Sequence, residues 1–344
     1  MTLKPQILHL IDDTTAGGVT RVVDFICTSD ALNRTGNHMI HKAQRGRFGT
    51  LPKAVDVIVS HTTISWRTLP ALIALRASRP NTPIIHVEHS YTSAFVSLNV
   101  TRRGRFASLL KVAFSLFDRV VAVSHAQADW MTSRNIIEEQ KLTTIQSCVD
   151  LKPLQSIPRI EGHITTLGAI GRLDRQKGFD LLIDAFKTLP NPSLRLKVIG
   201  TGPQEEMLRK LAGADERIEF VGFCADPNDA FRVIDAVVMP SRWEAFGLVA
   251  IETLASGRPL LCAKVDGLMD HEEHGTQYFG SFTRGSLASA IEDLLRTSCT
   301  ADKPPATYRA NRAMETFQDA WLQLIAAASN SKDVELAAVA EYPA

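Results

Sequence analysis

DAVVMPSRWEAFGLVAIETLASGRPLLCAKV, residues 235–265, reads as a short apolar strand, a loop, an apolar helix and a second apolar strand. The helix stops where Gly257 is followed by Pro259, because glycine accepts the left-handed turn that closes a helix and proline cannot continue one. Strand, helix and strand in so few residues is the repeating unit of an α/β fold. The stretch carries two carboxylates, Glu244 at the mouth of the helix and Glu252 inside the run LVAIETLA. A charge in that run costs several kcal/mol unless something pairs with it.

The same alternation extends in both directions. Upstream, the apolar runs 165–173, 195–203 and 217–224 are each followed by a helical segment, as are 6–12, 55–62, 83–90 and 118–124 in the first half, with 141–150 closing it. The proline-containing stretch 152–163 separates the two series. The pattern predicts an α/β protein of two doubly wound Rossmann-like domains facing a central cleft. The expected boundaries are an N-terminal domain over 1–155 and a C-terminal domain over 156–306. A final helix over 307–328, with Ala313, Phe317, Trp321, Leu324 and Ala328 at helical spacing, is expected to pack back toward the N-terminal domain, and 329–344 to form a flexible tail.

A 344-residue chain that is 45% hydrophobic and 22% charged is globular in composition. Its net charge of +1 conceals an asymmetry: residues 1–150 carry 17 basic and 11 acidic side chains, residues 151–344 carry 21 and 26. The basic half is the better partner for an anionic surface. Five scattered cysteines without CxxC spacing favour a reducing compartment over a disulfide framework or zinc site. No signal-peptide pattern opens the chain, and no apolar stretch is long enough to span a bilayer. The expected location is the cytoplasm, with peripheral attachment to the inner face of the membrane.

Ligands of open α/β sheets bind beyond the C-terminal ends of strands, where the unusual residues cluster. Gly17 and Gly18 follow the first strand, and lacking side chains they let backbone approach a bound group; a plain turn explains them equally simply. In GRLDRQKG (171–178), Arg172 and Lys177 stand five residues apart and either converge on a diphosphate or form a solvated basic loop. Amides from Ala245 to Leu248 begin a helix, a place that favours anions and hydroxyls. Glu244 would hold sugar hydroxyls there. Glu252 either accepts from two vicinal hydroxyls, such as those of a ribose, or emerges at a solvent edge. HEEH (271–274) lacks a third ligand and reads as a surface loop.

The ordered set Gly17-Gly18, G-R-L-x-x-x-K-G, V-I-G-x-G-P, F-x-G and P-S-x-x-E-x-F-G-L-x-x-x-E-x-x-A-x-G-x-P resembles the family 4 retaining glycosyltransferases of the GT-B fold, with their E-x7-E motif. The match covers nearly all of 165–265 and is looser in the first half. The resemblance implies that Gly17 and Gly18 lie against the donor's phosphate and that Arg172 and Lys177 neutralise the leaving diphosphate. It assigns Glu244, with the amides of Phe246, Gly247 and Leu248, to the donor sugar and phosphate, Glu252 to the ribose, and the loop bearing Gly222 and Phe223 to the base. His89, with His86 as runner-up, would sit beside the reacting sugar as a catalytic residue with Glu244. The implied activity moves a hexose from a UDP-, GDP- or ADP-linked donor to a glycan or lipid-linked acceptor with retention, in bacterial surface or exopolysaccharide assembly. No cofactor and no metal are expected, since the sequence has no D-x-D for a metal-bridged diphosphate. One departure stands out: where the family usually has G-G-x-x-E, this chain has Asp266 at the first glycine and Asp270 at the glutamate.

Residues 100–117 gather Arg102, Arg103, Arg105 and Lys111 around Phe106, Leu109, Leu110, Phe114 and Phe117. This composition suits an amphipathic helix on an anionic membrane, and equally a helix packed on its own sheet with solvated arginines. Nucleic acid is not an expected partner, for want of a stacking platform. A phosphorylase, a sugar-nucleotide epimerase and a non-catalytic sugar-nucleotide-binding protein are the alternatives on the same fold; dependence on inorganic phosphate, product without acceptor, or binding without turnover would reveal each.

Overall fold

The computed structural model describes residues 4–13, 17–158, 160, 162–296 and 306–340. The chain forms two compact units. The first comprises residues up to Tyr91, Val96–Val149 and the chain from Met314 onward; the second comprises Thr92–Phe95 and Asp150–Ala313. The division falls at Val149/Asp150, a few residues before the expected cut, and the short piece 92–95 belongs with the second unit.

The first unit contains β1 (Gln6–Ile11), α1 (Gly18–Thr28), α2 (Asp30–Asn33), β2 (Asn37–Lys42), β3 (Val57–Ser60), α3 (Leu69–Ser78), β4 (Ile84–Glu88), α4 (Ser93–Asn99), α5 (Arg103–Ser115), β5 (Arg119–Ala122), α6 (His125–Ser133) and β6 (Leu142–Thr144). Its strands form one parallel sheet in the order β2-β1-β3-β4-β5-β6. VIVS of β3 and IIHVE of β4 are buried at every position, which is why they read as continuous apolar runs: helices cover both faces of a parallel sheet.

The second unit contains α7 (Lys152–Gln155), β7 (Thr166–Ile170), α8 (Phe179–Phe186), β8 (Arg195–Ile199), α9 (Glu205–Ala212), β9 (Ile218–Gly222), α10 (Pro227–Arg232), β10 (Ala236–Met239), α11 (Leu248–Ala255), β11 (Leu260–Ala263), β12 (Gln277–Phe279), α12 (Arg284–Arg296) and the start of α13 (Ala306–Ala340). Its parallel sheet runs β12-β11-β10-β7-β8-β9, the order of a dinucleotide-binding Rossmann sheet. Leu167, Ala169, Leu196 and Val198 of the sheet pack with Phe179, Leu182, Ile183 and Phe186 of α8 and with Leu287, Ile291 and Leu294 of α12. The two sheets are the two Rossmann-like domains of the GT-B fold.

The last helix continues to Ala340, so residues 329–340, expected as a flexible tail, are helical; 341–344 lie outside the described residues. Its part in the first unit is anchored by Phe317 stacked on Phe25 at 5.7 Å, by buried Trp321, and by Gln318, whose amide donates to Ser29 Oγ at 3.0 Å.

Candidate functional site

In each sheet the strand order reverses at one place, where loops leave adjacent strands toward opposite faces and open a crevice. In the second unit this place lies between β7 and β10. The loop after β7 is GRLDRQKG and the loop after β10 begins the E-x7-E stretch, so topology brings together segments 67 residues apart. Lys177 Nζ donates to Glu244 Oε2 at 2.5 Å, with Ser241 Oγ at 3.4 Å from the same oxygen. The pair is mostly shielded, the side chains being 17% and 12% exposed.

Neighbouring contacts hold that pair in place. Arg242 donates through both guanidinium nitrogens to Asp180, at 2.8 and 2.6 Å, and its backbone N–H donates to the Gln176 carbonyl at 2.7 Å. Gln176 Nε2 donates back to the Trp243 carbonyl. Burial pushes the Asp180 carboxyl up, but the Arg242 fork outweighs it and holds the group below the ordinary carboxylate range. Such bidentate pairs fix geometry as well as charge.

Arg172 does not join Lys177. Its side chain is 68% exposed and bonded to Asp174 at 2.8 Å, so the expected convergence of two cations reduces in this structure to one shielded lysine and one solvent-facing arginine. Glu252 is 2% exposed, on α11 one turn past Leu248, which removes the solvent-edge reading. Glu252 has an interaction within the fold. Phe246 is buried and its carbonyl accepts from His271 Nε2 at 3.0 Å; Gly247 caps the N-terminus of α11 with φ 91°, where a Cβ would meet Leu268 at 2.6 Å. Leu248 opens the helix. His271 is thus a buried brace, which corrects the surface-loop reading of HEEH. At the end of β9, Gly222 has φ 86° with open space around it, and Phe223 presents a ring that is 63% exposed.

The departure at Asp266 has a physical account. Asp266 adopts φ 41°, a left-handed conformation that aspartate tolerates better than most residues. Its carboxylate accepts from Thr92 Oγ1 at 2.7 Å and from the Ala94 N–H at 3.1 Å, tying down the 92–95 segment of this unit. Burial raises its pKa against those hydrogen bonds. The second glycine is required sterically: a Cβ on Gly267 would lie 2.0 Å from the Ala245 carbonyl oxygen. Asp270 is half-buried in the short helix that follows.

In the first unit the reversal lies between β1 and β3. Gly17 caps α1 in extended conformation, and its turn is closed by Thr20, whose Oγ1 accepts from the Gly17 N–H and donates to the Gly17 carbonyl; residues 14–16 lie outside the described residues. Gly18 is the first residue of α1. His89 follows β4, half-buried, with its Nε2 2.9 Å from His61 Nδ1. His86, the runner-up, is buried on the opposite face of the sheet, stacked on Phe117 at 4.8 Å with Phe114 beside it. That leaves His89 as the histidine at the strand end. His9, His38 and His61, bonded in series with His89, were not anticipated. The available signal was compositional: six of the ten histidines fall between residues 9 and 89, one or more on each of the first four strands or at its end.

The apolar side of 100–117 is not a surface. Leu109, Leu110, Ala113 and Phe114 of α5, with Phe117, are core residues of the first unit, and Phe106 packs edge-on against Tyr91 at 4.9 Å. Arg102, Arg103, Arg105 and Lys111 are exposed; Arg105 lies over the Trp66 ring at 5.0 Å, and Arg103 donates to the Ser97 carbonyl. The apolar residues Leu109, Leu110, Phe114 and Phe117 therefore serve the core, while a basic face is exposed. Among the described residues, no helix is long and apolar enough to cross a membrane, and no cluster of three or more His, Cys, Asp or Glu is placed to hold a metal.

Two family models divide the chain between them. One described as Glycosyltransferase Family 4 matches residues 17–153, and one described as Glycosyl transferases group 1 matches residues 164–297. Among curated relatives, a lipopolysaccharide core biosynthesis mannosyltransferase of Rhizobium meliloti is 35% identical over 51% of this chain and 54% of its own length. A mannosylfructose-phosphate synthase of Agrobacterium fabrum is 37% identical over 31% of this chain and 27% of its own. The chain thus spans between about a quarter and just over half of these relatives. Among solved structures, sucrose-phosphate synthase from Thermosynechococcus elongatus superposes with TM-score 0.72 at 21% identity, covering 94% of this chain and 100% of that one. Anabaena HepE in complex with UDP and glucose superposes with TM-score 0.68 at 19% identity, covering 92% and 98%. At these identities the structural likeness concerns the fold.

Proposed function

We propose that this chain, which belongs to the family 4 glycosyltransferases through its Glycosyltransferase Family 4 and Glycosyl transferases group 1 domains, transfers a hexose from a nucleotide-diphosphate sugar to a glycan or lipid-linked acceptor with retention of configuration. The observation that carries this reading is the Lys177–Glu244 pair, shielded and braced at the switch point of the second sheet, with Glu252 buried on the helix beyond it. A sugar leaving a diphosphate puts negative charge on the phosphate. A lysine already fixed in position stabilises that charge without reorganising, which is the most effective form of electrostatic catalysis. Arg172, at the rim, adds a solvent-screened cation. These cations take the part that a metal plays elsewhere, so no metal is required. Glu252 accepts the ribose hydroxyls, and Phe223 offers its exposed ring to the base. Polysaccharide or lipopolysaccharide assembly is the proposed setting, in line with the relatives, and the cytoplasm the proposed location.

A calorimetric screen of UDP-, GDP- and ADP-sugars in the presence of a chelator tests this directly. One donor class binds, and its product, examined by the anomeric coupling in proton NMR, retains configuration. Glu252→Ala weakens that donor about a hundredfold, the equivalent of two hydrogen bonds to a charged group. Full binding by Glu252→Ala, or a strict need for divalent metal, contradicts the reading.

The exposed Arg102, Arg103, Arg105 and Lys111 support attachment to an anionic inner leaflet by charge alone, at about 1 kcal/mol per residue near the surface. Binding to vesicles containing phosphatidylserine should vanish at high salt and on neutralising the three arginines. Salt-resistant binding would point to insertion, which the buried apolar side of α5 does not permit.

A further inference from the structure

Among the described residues, two that are not glycine have positive φ, Asn135 at 50° and Asp266 at 41°. Asn135 stands just past the end of α6, where a left-handed residue ordinarily closes a helix. Asp266 instead opens the short helix Asp266–His274 that follows β11, where no such closure is needed. Glycine would take this backbone shape freely. A side chain persists there only where its surroundings over-determine it, and positions of this kind cluster at functional sites.

Those surroundings form a closed circle of contacts through Glu244. The backbone after Asp266 lies along the loop that carries Glu244: Gly267 N–H donates to the Glu244 carbonyl at 3.0 Å, and His271 Nε2 lies 3.0 Å from the Phe246 carbonyl. The Asp266 carboxylate reaches the 92–95 segment. Its Oδ2 accepts from Thr92 Oγ1 at 2.7 Å and its Oδ1 from the Ala94 N–H at 3.1 Å. Thr92, itself buried, accepts the Phe95 N–H at 3.1 Å through the same hydroxyl. The Phe95 ring meets Trp243 edge-on, with centroids 6.0 Å apart, and Trp243 precedes Glu244 in the chain. All of these residues lie in the second unit. With glycine at position 266 the circle would stand open between the 92–95 segment and Gly267.

We propose that Asp266 is a positioning residue: its carboxylate closes the circle and so fixes the backbone of Glu244 relative to the donor sugar. This rests on the reading that Glu244 holds that sugar. Lys177 Nζ fixes the other end of the residue, at its carboxylate. With both ends held, Glu244 meets the sugar hydroxyls without reorganising, and preorganised groups gain their effect in that way. Alignment matters steeply, because a hydrogen bond weakens quickly as its angle opens. The aspartate is thus retained at a strained position for its two hydrogen bonds and not for its backbone.

Calorimetry on the full chain separates this role from a merely structural one. The probes are UDP-, GDP- and ADP-hexoses and the matching nucleoside diphosphates, and the ratio of the two affinities reports the sugar contact alone. Asp266→Gly, which frees the backbone and removes the carboxylate, should weaken the nucleotide sugar about tenfold, the scale of one hydrogen bond to a charged group, and leave the bare nucleoside diphosphate unchanged. Thr92→Val, which removes only the hydroxyl partner, should move the ratio in the same direction, and it keeps the test decisive if Asp266→Gly does not fold. Asp266→Asn should restore the ratio. Asparagine also tolerates positive φ; its Oδ1 can accept the Ala94 N–H while its Nδ2 donates to the Thr92 hydroxyl. An unchanged ratio in folded Asp266→Gly or Thr92→Val, or Asp266→Asn as weak as Asp266→Gly, overturns the positioning role. A wild-type ratio in Glu244→Ala, or no binding by any of the nucleotide sugars, overturns instead the reading of Glu244 on which the proposal rests.

Discussion

Lys177→Ala lowers the rate of sugar transfer by about a hundred- to a thousandfold, the scale on which removing one preorganised electrostatic group from an active site acts. The loss should fall on kcat more than on donor KM, because charge on the leaving diphosphate is greater in the transition state than in the bound donor. Two features make the effect large. Lys177 is only 17% exposed, so its charge is screened less than a surface lysine's. Its position is fixed by Glu244 at 2.5 Å, and the loop carrying Glu244 is held by Arg242 on Asp180. The fold survives the change at a cost of about 1–3 kcal/mol, since Glu244 loses its main hydrogen-bond donor. Glu244→Gln should lose activity as well, and the double variant should lose much less than the product of the singles, as residues acting as a unit do. Steady-state kinetics with a saturating cognate donor checks all three. Transfer within tenfold of normal in Lys177→Ala would remove the lysine from the leaving-group site and with it the proposed role of the second unit.

Much of this arrangement was readable from one-dimensional pattern, and the physical reason differs from place to place. Runs such as AVVM and LLCA are buried at every position, so they stand out as uninterrupted apolar segments. The strands that escaped notice, NHMIHK and QYF, are β2 and β12, each at an edge of its sheet. An edge strand is covered less, and its composition is correspondingly mixed. Lys177 and Glu244 were identified separately by motif, but their pairing depends on β7 and β10 being neighbours, a fact of topology that spacing along the chain does not contain. The same holds for the histidine series, whose members become adjacent only through the register of four strands. Arg172 is bonded to Asp174, two residues away, a local contact that the motif's spacing does not show. Of the two readings of 100–117, the packed one fits Leu109, Leu110 and Phe114, which serve the first unit's core; a buried helix with one exposed basic side and a membrane helix have the same periodicity.

Gly200→Ala destabilises the second unit by about 2–5 kcal/mol, the sum of strain at a left-handed backbone position and overpacking of a tight contact. The loops after β7 and β8 touch through backbone. Gly171 N–H donates to the Ile199 carbonyl at 3.0 Å, Leu173 N–H to the Thr201 carbonyl at 2.9 Å, and Gln204 N–H to the Leu173 carbonyl at 2.9 Å. At Gly200, with φ 139°, a Cβ would lie 2.0 Å from the Gly171 carbonyl oxygen and 2.9 Å from its carbon. Neither atom belongs to a flexible side chain, so the β7 loop must move. That loop carries Lys177, whose Cε lies 3.3 Å from the ideal Cβ position at Gly171. Activity should therefore fall together with stability. Differential scanning calorimetry should show the transition of the second unit lowered by roughly 5–15 °C. Gly222→Ala is the control that separates conformation from contact: Gly222 also has positive φ, at 86°, but nothing lies within 4 Å of the added carbon. It should cost about 1 kcal/mol from backbone strain alone. Equal destabilisation by the two substitutions would mean that φ strain, and not the packing of the β8 loop on the β7 loop, dictates these glycines, and the account of how Lys177 is held in place would then fail.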